Sequence, residues 1–282
     1  MADSSPRIYL LPNLMTAGNL FCGFGAVLKI LEGALLHATN EAAASDKFHL
    51  AIWFILGACI FDLLDGRVAR LGGTESPFGR EFDSLADIVS FGVAPALMVY
   101  KIVLLDFPRL GWIVASVYLL CGALRLARFN CLAADDSESA NKEFRGFPIP
   151  AAAGLIASLT LFLLWVSESE KNLGLWRWVL PVLMLFLSFM MFSGFRYPSF
   201  KSLNWRTTRS LPRFLLIAVV LYLTWMNREW MPVVLFVSYL LYGFLRPWLS
   251  LGWRRKIEEE EDLDPSEPQD HPEPPKAPRH GA

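Results

Sequence analysis

Residues 61–87 read Phe61-Asp62-Leu63-Leu64-Asp65-Gly66-Arg67-Val68-Ala69-Arg70-Leu71-Gly72-Gly73-Thr74-Glu75-Ser76-Pro77-Phe78-Gly79-Arg80-Glu81-Phe82-Asp83-Ser84-Leu85-Ala86-Asp87. Four aspartates, Asp62, Asp65, Asp83 and Asp87, stand in and beside strongly apolar sequence. A carboxylate at membrane depth is costly unless it is compensated, so its presence points to function. Four carboxylates brought together need cations. The stretch therefore predicts a divalent-metal site inside a membrane protein.

Composition agrees with that setting. The chain has 282 residues, of which 54% are hydrophobic and 19% charged, and its mean hydropathy is +0.38. A soluble domain carries about 25% charged residues. Apolar runs long enough to cross a bilayer as helices fall near 14–36, 49–71, 82–105, 111–131, 149–167, 175–195, 211–227 and 230–249. Run length selects helices over barrel strands, which would alternate over about ten residues. The expected fold is thus an all-α polytopic membrane protein with eight spans, the last two joined as a tight hairpin at Asn227-Arg228-Glu229. The short polar N-terminus shows no cleavable signal. No internal repeat is strong enough to indicate an inverted-repeat transporter.

The loops orient the chain. One set holds Arg7, Arg70, Arg80, Lys142, Arg145, Arg196, Lys201, Arg206, Arg209, Arg254, Arg255 and Lys256; the other mainly Lys47, Arg109, Lys171 and Arg228. The richer set is cytoplasmic by the positive-inside rule, which puts the aspartate motif at the cytoplasmic face. Cys22, Cys59, Cys121 and Cys131 lack paired-motif spacing and read as small membrane residues. His37 and His49 fall near the opposite face, and His271 and His280 in the tail, so no transition-metal site is expected. Residues 257–282, acidic and then Pro-rich, read as a solvated disordered tail.

The spacings make chemical sense. Asp62 and Asp65 are three apart at the end of the second span. Asp83 and Asp87 are four apart at the start of the third. Both spacings put the pair on one helical face, and the short connection makes the two helices antiparallel neighbours. All-oxygen donors suit Mg²⁺ or Mn²⁺. Four carboxylates exceed what one dication neutralises, which admits a two-metal arrangement for phosphoryl displacement. Gly66 and Gly79 lack side chains that would obstruct a ligand. Arg70 can present a charged fork to a phosphate.

The pattern Asp62-x-x-Asp65-Gly66-x-x-Ala69-Arg70, eight residues, Gly79-x-x-x-Asp83-x-x-x-Asp87 resembles the full signature of the CDP-alcohol phosphatidyltransferases. The resemblance implies a six-helix core, a CDP-lipid substrate and two divalent cations. It implies that Asp62, Asp65 and Asp83 are metal ligands, that Asp87 accepts a proton and approaches a metal, and that Gly66, Arg70, Ser76 and Gly79 surround the cytidine diphosphate group. Further segments resemble the membrane-embedded bacterial phosphatidylserine synthases of that family. They are Pro12-Asn13-Leu14-Met15-Thr16-Ala17-Gly18-Asn19, Asp83 through Pro95, Arg125-Leu126-Ala127-Arg128-Phe129-Asn130, Phe144 through Ala151, and Arg196 through Lys201.

That resemblance implies transfer of the phosphatidyl group of CDP-diacylglycerol to L-serine, in the bacterial inner membrane, with membrane lipids around the protein and no nucleic acid. Asp87 would take the hydroxyl proton, a contribution of about 10²–10⁴-fold. Arg125, Arg128 and Arg145 are candidates for the serine carboxylate, with Asn19, Ser90 and Asn130 as polar candidates beside them. Arginines at cytoplasmic ends also serve as topology anchors, and Asn19 and Ser90 also suit helix-packing hydrogen bonds. A homodimer is the family-based expectation. Residues 1–210 are expected to form the six-span core, 211–253 an added hairpin and 254–282 the tail. The alternatives are the same chemistry on glycerol 3-phosphate, inositol phosphate or choline, and a divalent-cation transporter.

Overall fold

The computed structural model describes residues 10–71, 77–106, 109–134, 146–169, 178–193, 219–220 and 222–245. Among these there is no strand. Five helices are long and apolar enough to cross a membrane: Pro12–Leu36, Glu41–Gly66, Pro77–Ile102, Gly111–Cys131 and Ile149–Ser167. Two shorter apolar helices follow, Val179–Phe192 and Met231–Tyr242. The protein is an all-α polytopic membrane protein.

Helix α1 (Leu10–Leu36) turns through Thr39 and Asn40, whose amides donate back to the Leu36 carbonyl, into α2 (Glu41–Leu71). Asn40 caps α2: its side-chain oxygen accepts from the Ala43 amide at 3.1 Å, meeting one of the amides that a helix start leaves unpaired. Glu41 adds a negative charge to the first turn, where the helix dipole favours it. The short turn makes α1 and α2 antiparallel neighbours, and they form the most extensive helix pair described. Phe61, Phe54 and Phe48 of α2 lie over Gly18, Gly25 and Gly33 of α1. Small residues on one helix thus receive rings from the other, the packing that close helix approach in a membrane requires.

The third crossing is composite. It consists of α3 (Pro77–Asp87), a π-helical turn Ile88–Val93 and α4 (Ala94–Ile102). The π turn was not expected from the sequence. A short 3₁₀ turn, Leu104–Asp106, precedes α5 (Gly111–Ala134). Helices α6 (Ile149–Ser169) and α7 (Val179–Phe192) complete the core. Gly146, with φ of 88°, lets the chain enter α6 hard against the end of α7, since a Cβ there would lie 2.5 Å from the Met191 carbonyl oxygen. The Phe147 amide then donates to the Met190 carbonyl at 3.1 Å.

Seven of the eight expected spans have a described helix at the expected place. Helix α7 is shorter than its expected run: it begins after Trp178 and ends before Ser193, whose backbone turns extended. Most of the seventh run, 211–227, lies outside the described residues; residues 222–226 are helical. A turn at 227–230 leads into α8 (Met231–Leu245). Helix α8 packs on α6: Phe236 fills the notch at Gly154, and the Tyr239 and Phe147 rings approach with centroids 5.8 Å apart. The expected tail lies outside the described residues.

Candidate metal and substrate site

The α1–α2 pairing brings the aspartate-bearing end of α2 against the start of α1. There Thr16 Oγ1 donates to Asp65 Oδ2 at 3.3 Å. The third crossing lies along α1 as well, and Asn19 Nδ2 donates to Asp87 Oδ1 at 3.1 Å. Two turns of α1 thereby hold two carboxylates from two different helices. Both are well buried, Asp65 at 7% and Asp87 at 6% exposure, and Asn19 is fully buried.

Asp62, Asp83 and Asp87 come together. Each offers a carboxylate oxygen, and the three oxygens lie within 4.8 Å of one another. The sequence expectation had four converging donors. Asp65 stands within electrostatic range of Asp62 and Asp83, with a side-chain oxygen taken by Thr16. The three-oxygen group suits a hard cation: such ions bind carboxylates at about 2.0–2.1 Å, so donors on opposite sides of one ion stand about 4 Å apart. Asp62 and Asp83 are half-buried and Asp87 is buried, giving a site open on one side. The group can therefore hold a divalent metal.

A Cβ built on Gly66 would meet nothing within 4 Å, so packing against the protein does not explain the missing side chain. Gly79 lies one turn before Asp83 in α3 and is half-buried. Only the backbone of Arg70 is described, in the last turn of α2. Ser76 and Arg145 lie outside the described residues.

The expected serine pocket is brought together in part. Arg125 of α5 is buried and within electrostatic range of Asp87 and Tyr239. Arg128, one turn on, is exposed. Asn130 donates to Ser84 Oγ at 2.9 Å, tying the end of α5 to the residue after Asp83. Asn19 spends its amide on Asp87, and Ser90 Oγ donates to the Asn19 carbonyl at 3.0 Å; both contacts are between helices. All four cysteines are free. His49 is held one turn away by Ser45, on the part of α2 remote from the aspartates. Thr16 carries no signal in the sequence beyond its place in the first apolar run; the helix register alone sets it facing Asp65.

A multi-pass helical protein with a buried polycarboxylate group of metal-binding character is the class that fold and site define. The chain matches the CDP-alcohol phosphatidyltransferase family over residues 9–193, and it belongs to that family. It is 37% identical over 254 aligned residues to a CDP-diacylglycerol--serine O-phosphatidyltransferase of Helicobacter pylori, covering 86% of this chain and 93% of that protein. A protein of the same name from Bacillus subtilis is 32% identical over 191 residues, 68% of this chain and 91% of its own length. An archaetidylserine synthase of Methanothermobacter thermautotrophicus is 35% identical over 190 residues, 67% of this chain and 69% of its own.

Proposed function

We infer that this chain is a CDP-diacylglycerol–serine O-phosphatidyltransferase: CDP-diacylglycerol and L-serine give phosphatidylserine and CMP. The observation that carries the chemistry is the convergence of Asp62, Asp83 and Asp87 on the family's signature. The acceptor assignment is supported by relatives whose names differ in the lipid and share serine. A phosphorylated acceptor would call for further clustered cations near the site. Among the described residues, Arg125 is a buried cation within electrostatic range of Asp87.

In the reaction, the serine hydroxyl oxygen forms a bond to the lipid-linked phosphorus. The bond from that phosphorus to the CMP oxygen breaks, and the hydroxyl proton passes to Asp87. Two divalent cations, Mg²⁺ or Mn²⁺, held by Asp62, Asp65, Asp83 and Asp87, would neutralise the diphosphate and the departing CMP. Asn19 orients Asp87, Thr16 orients Asp65, and Arg70 with Ser76, Gly66 and Gly79 would surround the diphosphate and cytidine. Arg125 is the candidate partner of the serine carboxylate, with Arg128 and Arg145 as further candidates nearby in sequence.

The positive-inside count supports a site open to the cytoplasm, and the family resemblance supports a bacterial inner-membrane location. The family also implies a homodimer surrounded by membrane lipids. Residues 1–210 would be the catalytic core, 211–253 an added hairpin and 254–282 a cytoplasmic tail.

The test is turnover in detergent with CDP-diacylglycerol, Mg²⁺ or Mn²⁺, and labelled serine, glycerol 3-phosphate, inositol phosphate or choline. CMP release with label entering lipid from serine alone is expected. Label entering from another acceptor overturns the serine assignment while leaving the transfer chemistry. Folded protein that releases no CMP with any acceptor overturns the enzyme reading.

A further inference from the structure

The segment after Asp87 is built in an unusual way. Residues 88–93 form a π-helical turn, in which the Ala94 amide reaches back five residues to the Val89 carbonyl. A π turn inserts one residue into a helix and is frequent at functional sites. One residue is about 100° of helix rotation, since a turn takes 3.6 residues. The insertion therefore sets the phase between the face bearing Asp83 and Asp87 and the face of α4 that buries Ala94, Met98 and Val99.

A second helix holds this turn. Pro95 has no N–H, so the carbonyl four residues back, that of Phe91, loses its usual helical donor. Tyr118 of α5 supplies one: its hydroxyl donates to the Phe91 carbonyl at 3.0 Å, and both residues are fully buried. On the other side, Ser90 Oγ donates to the Asn19 carbonyl at 3.0 Å. The approach there leaves no room for a side chain: a Cβ on Gly23 would lie 2.6 Å from Ser90 Cα. Asn19 in turn holds Asp87 with its amide. The π turn is thus tied to α5 by Tyr118 and to α1 by Ser90.

We propose that Tyr118 is a positioning residue for the reaction: by holding the Phe91 carbonyl it keeps the π turn in place and Asp87 aligned with Asp62 and Asp83. The inference rests on the reading of Asp87 given under the proposed function. Partners that orient metal ligands typically carry about 10–100-fold of metal affinity or activity. Tyr118→Phe, which keeps the ring and removes the hydroxyl, is therefore expected to lower kcat and Mn²⁺ affinity by about tenfold each, within that range. KM for CDP-diacylglycerol and for serine stays at the wild-type value.

Mn²⁺ binding is read by the electron paramagnetic resonance of free Mn²⁺ in detergent without substrates, and turnover is expressed per folded protein. Ser90→Ala cuts the opposite tie and is expected to move the same two readouts. Pro95→Ala in the Tyr118→Phe background returns an N–H to the turn and is expected to recover part of the lost affinity. Wild-type Mn²⁺ affinity and kcat in Tyr118→Phe overturn the proposal, whatever Ser90→Ala does. So does a lower melting temperature or yield with Mn²⁺ affinity unchanged, because that is all a purely structural tyrosine would produce. Asp87→Asn, assayed in parallel, separates the two readings. If it turns over normally, Asp87 is not the base. If it is inactive while the two tie variants match wild type, only the positioning role falls.

Discussion

Asp83→Asn should stabilise the metal-free protein while destroying its activity. Asp62, Asp83 and Asp87 present oxygens within 4.8 Å of one another, and without a cation their charges repel. At that separation each pair costs about 3.5 kcal/mol at an effective dielectric of about 20, and about 0.9 kcal/mol at the value for water. Three carboxylates this close do not all stay ionised without a cation, and one takes up a proton, so neutralising Asp83 relieves the one charged pair left to it, about 0.9 kcal/mol at the lower figure. Asparagine is nearly isosteric, so packing changes little. At roughly 2–4 °C per kcal/mol for a chain of this size, the melting temperature in EDTA should rise by about 2–4 °C. Thermal unfolding in detergent, followed by tryptophan fluorescence, measures it. Added Mn²⁺ should raise the wild-type melting temperature by more than that of the variant, because binding to the folded state alone stabilises it. A variant that melts at or below wild type in EDTA would refute the idea that these carboxylates form one mutually repelling group awaiting cations.

Two further outcomes follow from contacts on α1 and α6. Asn19→Ala removes a buried hydrogen bond to a carboxylate, of the kind worth about 1.5–3 kcal/mol; kcat should fall by tenfold or more with the serine KM unchanged, and a raised serine KM at constant kcat would return Asn19 to the substrate pocket. Gly154→Val pushes a side chain into the space held by Phe236; α8 should loosen from α6, shown by faster protease cleavage between α7 and α8, and an unaltered cleavage pattern would show that the hairpin docks by other contacts.

The aspartate motif was legible because charge stands out against an apolar background, and the three- and four-residue spacings translate directly into helix faces. The expected direct pairing of the second and third crossings was less so: both pack chiefly on α1, which holds them side by side. The partners of the aspartates were not. Asn19 and Asp87 are 68 residues apart, and whether they meet depends on the rotation of two helices about their axes, which apolar composition fixes poorly when lipid and protein faces are equally hydrophobic. Tyr118 lies within an apolar run and reads as an ordinary aromatic. Its role emerges only with the π turn, for which Pro95 was a visible but insufficient sign. The split of the four aspartates into a group of three plus one held by Thr16 likewise depends on side-chain reach that spacing does not encode.

The distribution of buried polarity decides between transfer chemistry and transport. Along the interior of α1 the buried residues run Thr16, Asn19, Cys22, Ala26 and Ile30; along α2, in the opposite direction, they run Asp65, Ala58, Ile55, Ile52 and Phe48. Because the helices are antiparallel, both become polar at the same end and apolar toward the other. A cation path would need oxygen donors continuing through the bilayer, on broken helices near its midplane. Here Ala26, Ile30, Ile52 and Ile55 are fully buried beyond the carboxylates, and their side chains offer an ion no oxygen. Such a one-ended polar site suits a substrate that is itself divided, with a charged diphosphate head at the water-facing end and acyl chains in the membrane beside it. The cost of burying carboxylates is then confined to one end of the α1–α2 pair, and the buried hydroxyls of α6 and α7, Ser158, Thr160 and Ser188, are spent on backbone carbonyls of their own helices.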